Sequence, residues 1–175
     1  MSLTTGTTGR APERTARHDA LLYAGADEFL ASTVPFIYSG LVADQPVLVV
    51  VNHLKADLLR VTLGADGREV TFADLGDTHR HPDDFLSAWV EFARAHASDN
   101  RLLRAIGEPV SAAMSSELFE SRQCEPLLDL ACVGLRQYCL RCLYDADTVG
   151  AEALAEARTS HAIVLERGAR RLGAA

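Results

Sequence analysis

Apolar runs in this 175-residue chain end repeatedly on polar side chains. Tyr23 and Gly25 close the first run, and Asn52 and His53 the second. Asp74 closes the third, Gly107-Glu108-Pro109 the fourth and Tyr144-Asp145 the fifth. The set holds an amide, an imidazole, three carboxylates and two phenols. Such groups can orient a small molecule by hydrogen bonds, with the phenols adding apolar walls that carry polar tips. Asn and Asp also cap helices and start turns, and that plainer role suits Asn52 and Asp74. Glu108 differs, because glutamate is neither a strong turn former nor a helix cap and here directly follows an apolar run. A carboxylate aimed inward needs a partner or a raised pKa.

Other side chains could join it. Arg122 and Glu125 stand three apart and share a helical face. They either pair on the surface, or Arg122 reaches Glu108 while Glu125 faces a ligand. His18 precedes the first run and His161 follows the last helix; each is a structural histidine or a ligand-orienting one. His79 and His81 lie in a Gly/Asp/Pro loop and lack the further ligands a dedicated metal site needs. The four cysteines are Cys124, Cys132, Cys139 and Cys142. Cys139 and Cys142 read C-x-x-C, but within a strand, where positions three apart point to opposite faces. They are read as core cysteines, and neither a metal nor another cofactor is expected. A thiol enzyme would need Cys142 within hydrogen-bond reach of His161.

The elements that position these groups alternate strand and helix. Residues 1–16 have almost no apolar periodicity and are expected to be a disordered arm. Ala20 to Tyr23 is a short strand, and Asp27 can cap a helix with the stripe Leu30, Val34, Ile37 and Leu41, interrupted at Pro35. Val47 to Val51 is continuously apolar and β-branched, as in strands buried on both faces. Leu54, Leu58 and Val61 mark a second helix that Gly64 can close. Val70 to Ala73 is a third strand. Pro82 opens a helix with Phe85, Trp89, Phe92 and His96 on one stripe. Leu102 to Ile106 is a fourth strand. Ser115 or Ser116 caps a helix with Leu118, Phe119, Leu127, Leu128 and Leu130 that Pro126 interrupts. Tyr138 to Leu143 is a fifth strand and Ala151 to Arg158 a last helix, after which 167–175 is expected to fray. This alternation predicts an α/β fold of three layers, with a mostly parallel sheet flanked by helices. Ligands of such sheets bind beyond the C-terminal ends of the strands, where the polar residues collect.

Composition narrows the function. Seventeen Lys and Arg face twenty-four Asp and Glu, a formal charge of −7, so no summed positive field draws nucleic acid. No apolar run approaches the ~20 residues that span a bilayer. The N-terminus lacks the apolar core of a secretory signal, and the cysteines are too sparse for a disulfide scaffold, so a cytoplasmic location is expected. The turn after the first strand, Tyr23-Ala24-Gly25-Ala26-Asp27-Glu28, is no phosphate loop. The only lysine, Lys55, follows the second strand instead. Asp27 and Glu28 sit where the helix dipole would receive a phosphate, and would repel one. ATP hydrolysis through that loop is ruled out, no nucleophile elbow occurs, and no enzyme activity is expected.

A set of ordered motifs resembles one family. They are His18-Asp19-Ala20-Leu21-Leu22-Tyr23, Phe29-Leu30, Val34-Pro35-Phe36, Gly40-Leu41 and Pro46-Val47-Leu48-Val49. Further along come Phe72-Ala73-Asp74, Trp89, Gly107-Glu108-Pro109, Glu125 with Leu127-Leu128, Cys142-Leu143-Tyr144-Asp145, and Ala157-Arg158 with His161. Together they are similar to the MEDS (methanogen/methylotroph, DcmR sensory) domains, over residues 17–166. The resemblance implies a RecA/KaiC-like fold that has lost its phosphate loop, and a sensory module for small organic molecules. Such modules occur fused to helix-turn-helix regulators or to histidine-kinase-like ATPase domains. This sequence shows no such output domain, so it is a fragment or signals by binding another protein. It also departs from the family at Cys124 and Pro126, which flank Glu125.

The resulting expectation is a non-catalytic sensory or regulatory domain of bacterial signal transduction or transcription control. A small organic ligand would meet His18, Tyr23, Glu108, Arg122, Glu125, Cys142, Tyr144, Asp145 and His161. The expected protein partner is a histidine-kinase-like ATPase, an anti-sigma factor or a transcription regulator, with a homodimer left open and no direct nucleic-acid or membrane contact. The competing reading is a protein-interaction module whose pocket is vestigial.

Overall fold

The four residues Val47-Leu48-Val49-Val50 carry no polar side chain and are all buried, which places their strand inside a sheet covered on both faces. A computed structural model of the protein describes residues 16–73, 82–96, 98, 100–109, 126–135, 137–166 and 169–173. Its elements are β1 (Ala16–Tyr23), α1 (Gly25–Val42), β2 (Val47–Val50), α2 (His53–Leu63), β3 (Val70–Phe72) and α3 (Pro82–Ala95). Then follow β4 (Leu103–Gly107), a helical stretch at 126–131, β5 (Tyr138–Asp145), α4 (Ala151–Ser160), β6 (Ile163–Glu166) and β7 (Ala169–Leu172).

The strands form one seven-stranded sheet in the order β3-β2-β4-β5-β1-β6-β7. Every pairing is parallel except β6 with β7. Two apolar clusters cover its faces. Phe29, Phe36 and Ile37 of α1, with Ala56, Leu59 and Leu63 of α2, pack on one face. Phe85, Trp89 and Phe92 of α3, Leu128 and Ala157 of α4 pack on the other. The fold is therefore α/β in three layers with a mostly parallel sheet, as the strand–helix alternation predicts.

Three local expectations change. Asp27 does not cap α1: Ala24 is the cap residue, and Glu28 Oε2 reaches back to accept from the Ala24 N–H at 2.8 Å. The buried stripe of α2 is Ala56, Leu59 and Leu63, while Leu54 and Val61 are 70% and 81% exposed. The segment after Glu166 does not simply fray, since β7 pairs antiparallel with β6. Its side chains are all exposed, so only the main chain holds it and no apolar pattern marks it. Of the arm expected at 1–16, Ala16 opens β1 and 1–15 lie outside the described residues, as do Ser115, Ser116, Leu118 and Phe119 of the capped helix.

Candidate functional site

Four strand ends meet on one edge of the sheet. β1 ends at Tyr23, β2 leads through Val51 to Asn52, β4 leads to Glu108 and β5 ends at Asp145. Main-chain bonds fix their relative heights. Glu108 N–H donates to the Val50 carbonyl at 3.0 Å, and Ala146 N–H to the Tyr23 carbonyl at 2.7 Å. Glu108 is only 3% exposed, so its charge must be met inside the protein. Tyr23 Oη donates to Glu108 Oε1 at 3.0 Å, and Asn52 Nδ2 approaches Oε2 at 3.5 Å. Lys55 Nζ donates to Glu108 Oε1 at 2.5 Å and to Asp145 Oδ2 at 3.2 Å. The ammonium also lies 5.3 Å from the Tyr23 ring centre and 6.0 Å from that of Phe29. Burial, reinforced by the Glu108 and Asp145 charges, pushes the Tyr23 phenol far above its ordinary range and keeps it a donor.

Asn52 performs two jobs. Its Oδ1 caps α2 by accepting from the Lys55 N–H at 3.0 Å, while its amide nitrogen faces Glu108. The cap orients the first turn of α2, and that turn aims Lys55 at the two carboxylates. Two carboxylates and one ammonium leave the cluster one negative charge in excess. It suits a ligand that offers hydrogen-bond donors and not a phosphate.

The nine candidate ligand residues do not form one pocket. Side chains alternate faces along a strand, so Tyr23 and Asp145 lie on the α1/α2 side. Cys142 and Tyr144 lie on the α3/α4 side, where His18 and His161 join them. His18 Nε2 lies 3.1 Å from Cys142 Sγ, and the His161 and Tyr144 rings meet edge-on at 6.0 Å between centres. His18, from the neighbouring strand, thus stands within hydrogen-bond distance of the Cys142 thiol. Tyr23, Glu108 and Asp145 share the first cluster; His18, Cys142, Tyr144 and His161 share the second. Arg122 and Glu125 lie outside the described residues, as do Cys124, Asp74, His79 and His81. Cys139 faces the α1/α2 side and Cys142 the other, so the C-x-x-C pair is split by the sheet.

The MEthanogen/methylotroph, DcmR Sensory domain model matches residues 17–162, most of the chain. The chain belongs to the MEDS family. No curated protein matches it. Both clusters lie inside the MEDS match, from His18 to His161. MEDS is a sensory domain family, which fits a regulatory role for this chain. Among the described residues no helix is long and apolar enough to cross a membrane.

Two members of the strand-end cluster escape sequence reasoning about this MEDS domain. Asn52 reads as a cap, which it is, and its second contact leaves no trace in sequence. Lys55 draws notice only as a lysine outside a phosphate loop, yet it is the cation that holds the carboxylates together. Its position three after Asn52, in the first turn of a helix after a strand, is the available signal. A different cleft, lined among others by Gln45, Pro46, Thr71 and Arg101, opens at the opposite edge, near the N-terminal ends of β2 and β3.

Proposed function

We propose that this MEDS domain is a non-catalytic, cytoplasmic sensory module that binds a small organic ligand where the strands end at Tyr23, Glu108 and Asp145. The observation that carries the reading is the buried Glu108 carboxylate with Tyr23, Asn52 and Lys55 as its donors. A ligand bearing a hydroxyl or amine offers the same donor chemistry and competes with Lys55 for Glu108 and Asp145. Tyr23 supplies a second hydrogen-bonding tip beside an apolar ring. Lys55 stands in the first turn of α2, so its release removes a side-chain tie between that helix and the strand ends while the Asn52 cap stays. A ligand shifts the balance between a Lys55-paired and a Lys55-released state only by its difference in affinity for the two.

The test is a thermal-shift and calorimetric screen with small alcohols, amines and carbonyl compounds. A true ligand raises Tm with concentration in the wild type. Glu108→Gln and Tyr23→Phe should each abolish or sharply reduce that shift. The reading fails when no compound moves the wild type, or when both variants respond as it does.

A second reading draws on α2 itself. Leu54 and Val61 stand seven apart on its solvent face, the spacing of an exposed apolar stripe. This favours docking to a signalling protein of the histidine-kinase-like ATPase, anti-sigma or transcription-regulator type. Binding to such a partner that survives Glu108→Gln but is lost in Leu54→Ser supports a pure interaction module. Binding lost in both supports a sensor that reports through α2.

A further inference from the structure

The geometry points to a transition-metal site of the zinc class, formed by His18, Cys142 and His161 on the face of the sheet away from Lys55. One donor atom from each residue lies within 4.8 Å of the other two, the only such group among the described residues. Register produces it. On neighbouring parallel strands, His18 is level with Leu140 and Cys142 with Ala20, so the imidazole and the thiol stand one pleat apart on the same face. The turn from α4 into β6 delivers His161, whose ring lies 4.6 Å from the His18 ring at 71°. Cys142 is 0% and His161 1% exposed.

The surrounding contacts set up both imidazoles as ligands. His18 Nδ1 lies 2.8 Å from Asp129 Oδ1, and His161 Nδ1 lies 3.0 Å from the Ala157 carbonyl oxygen. A carbonyl and a carboxylate only accept, so the tautomer with its proton on Nδ1 satisfies both contacts, the Ser160 hydroxyl 3.0 Å from His161 Nδ1 accepting from the same N–H, and it leaves each Nε2 with a lone pair. A carboxylate or carbonyl behind a histidine is the usual support of a metal ligand, because it fixes the tautomer and raises the basicity. Cys142 supplies sulfur, and its thiol proton leaves for solvent as the thiolate bonds the ion. Two imidazoles and one thiolate select zinc, cobalt or copper over magnesium or calcium, which take oxygen donors. Bonds of about 2.0–2.3 Å in a tetrahedron need donors roughly 3.3–3.6 Å apart, so side-chain shifts of about 1 Å close the group around an ion. Three protein donors leave a fourth coordination position for a further ligand.

The same atoms line up as thiol, imidazole and carboxylate, the order of a nucleophile with its base. Burial argues against that use, since Cys142 lies in the interior of β5 between β1 and β4 with no exposed surface for a substrate. A nucleophile also has no need of His161, the second imidazole.

The experiment titrates Co(II) and then Zn(II) into the reduced, chelator-treated full chain. The expected result is one Co(II) per chain, with a thiolate-to-cobalt charge-transfer band in the near ultraviolet and the intense visible bands of four-coordinate cobalt. Excess Zn(II) should bleach both. Cys142→Ser should lose the charge-transfer band and Cys139→Ser should keep it. Asp129→Asn, at an exposed position, should weaken binding about 10–100-fold without removing the band. The proposal is overturned when the wild type gives no charge-transfer band, when the band survives Cys142→Ser, or when Asp129→Asn binds as tightly as the wild type. Should Cys142→Ser not fold, His161→Ala replaces it and must lower the affinity at least as far as Asp129→Asn.

Discussion

Lys55 Nζ donates to Glu108 Oε1 across fifty-three residues of sequence, joining the first turn of α2 to the residue after β4. The carboxylate is buried, so it depends on this cation and on Tyr23. Removing the ammonium leaves a buried charge short of its partner, which destabilises far more than loss of an exposed pair. Lys55→Met should lower unfolding free energy by about 3 kcal/mol in urea titration, at the low end for buried pairs because Lys55 keeps some solvent contact. Lys55→Met with Glu108→Gln should recover part of that loss. A single variant as stable as the wild type would mean the pair adds nothing.

The outward stripe of α2 gives a second prediction. Leu54→Ser and Val61→Ser should each change stability by no more than about 0.5 kcal/mol, because both side chains stand in solvent. Leu59→Ala, on the buried stripe, should cost about 2–5 kcal/mol. Denaturation midpoints of the three variants check the phase of the helix directly.

That contrast explains what the sequence could reveal. α2 carries two apolar stripes, Leu54-Leu58-Val61 and Ala56-Leu59-Leu63, both at helical spacing. The bulkier stripe wins on paper, but Leu54 and Val61 stand in solvent and Leu58 packs only in part, while Ala56, Leu59 and Leu63 are buried. Val47 to Val50 was legible because a short, β-branched, continuously apolar run suits a strand buried on both faces. β7 was not, because Ala169-Arg170-Arg171-Leu172 buries no side chain and holds on by the main chain alone. Tyr23, Glu108 and Asp145 were legible as strand ends. Their separation from His18, Cys142 and Tyr144 follows from strand alternation, since Tyr144 and Asp145 are neighbours and point to opposite faces. Lys55 reached the site through helix geometry, which no strand pattern contains.

Packing beneath Glu108 gives a third prediction. A Cβ on Gly107 would run into the ring of Phe85, which is fully buried against the sheet. The ring has no room to withdraw, so Gly107→Ala should destabilise by about 1–3 kcal/mol through overpacking. Phe85→Leu in the same chain should return part of the loss, although Phe85→Leu alone destabilises. Two losses that simply add would show that residues 107 and 85 do not meet.

Alkaline pH supplies the last prediction. Burial pushes the Cys132 thiol up from 9.0 to about 11, and the nearby Asp129 charge acts in the same direction. Burial, with the adjoining Cys132, pushes the Tyr138 phenol up from 10.0 to about 12. In both cases the folded chain keeps a proton that the unfolded chain releases, so the unfolded state binds fewer protons as pH rises. Stability from the thiol is therefore complete below about pH 9 and is lost between about pH 9 and 11. The phenol extends the loss towards pH 12. Linkage over that interval sets the thiol's share at roughly 3 kcal/mol. Urea midpoints measured from pH 8 to 11 should fall for the wild type and fall less steeply for Cys132→Ala. Equal slopes for the two proteins would place the alkaline loss elsewhere.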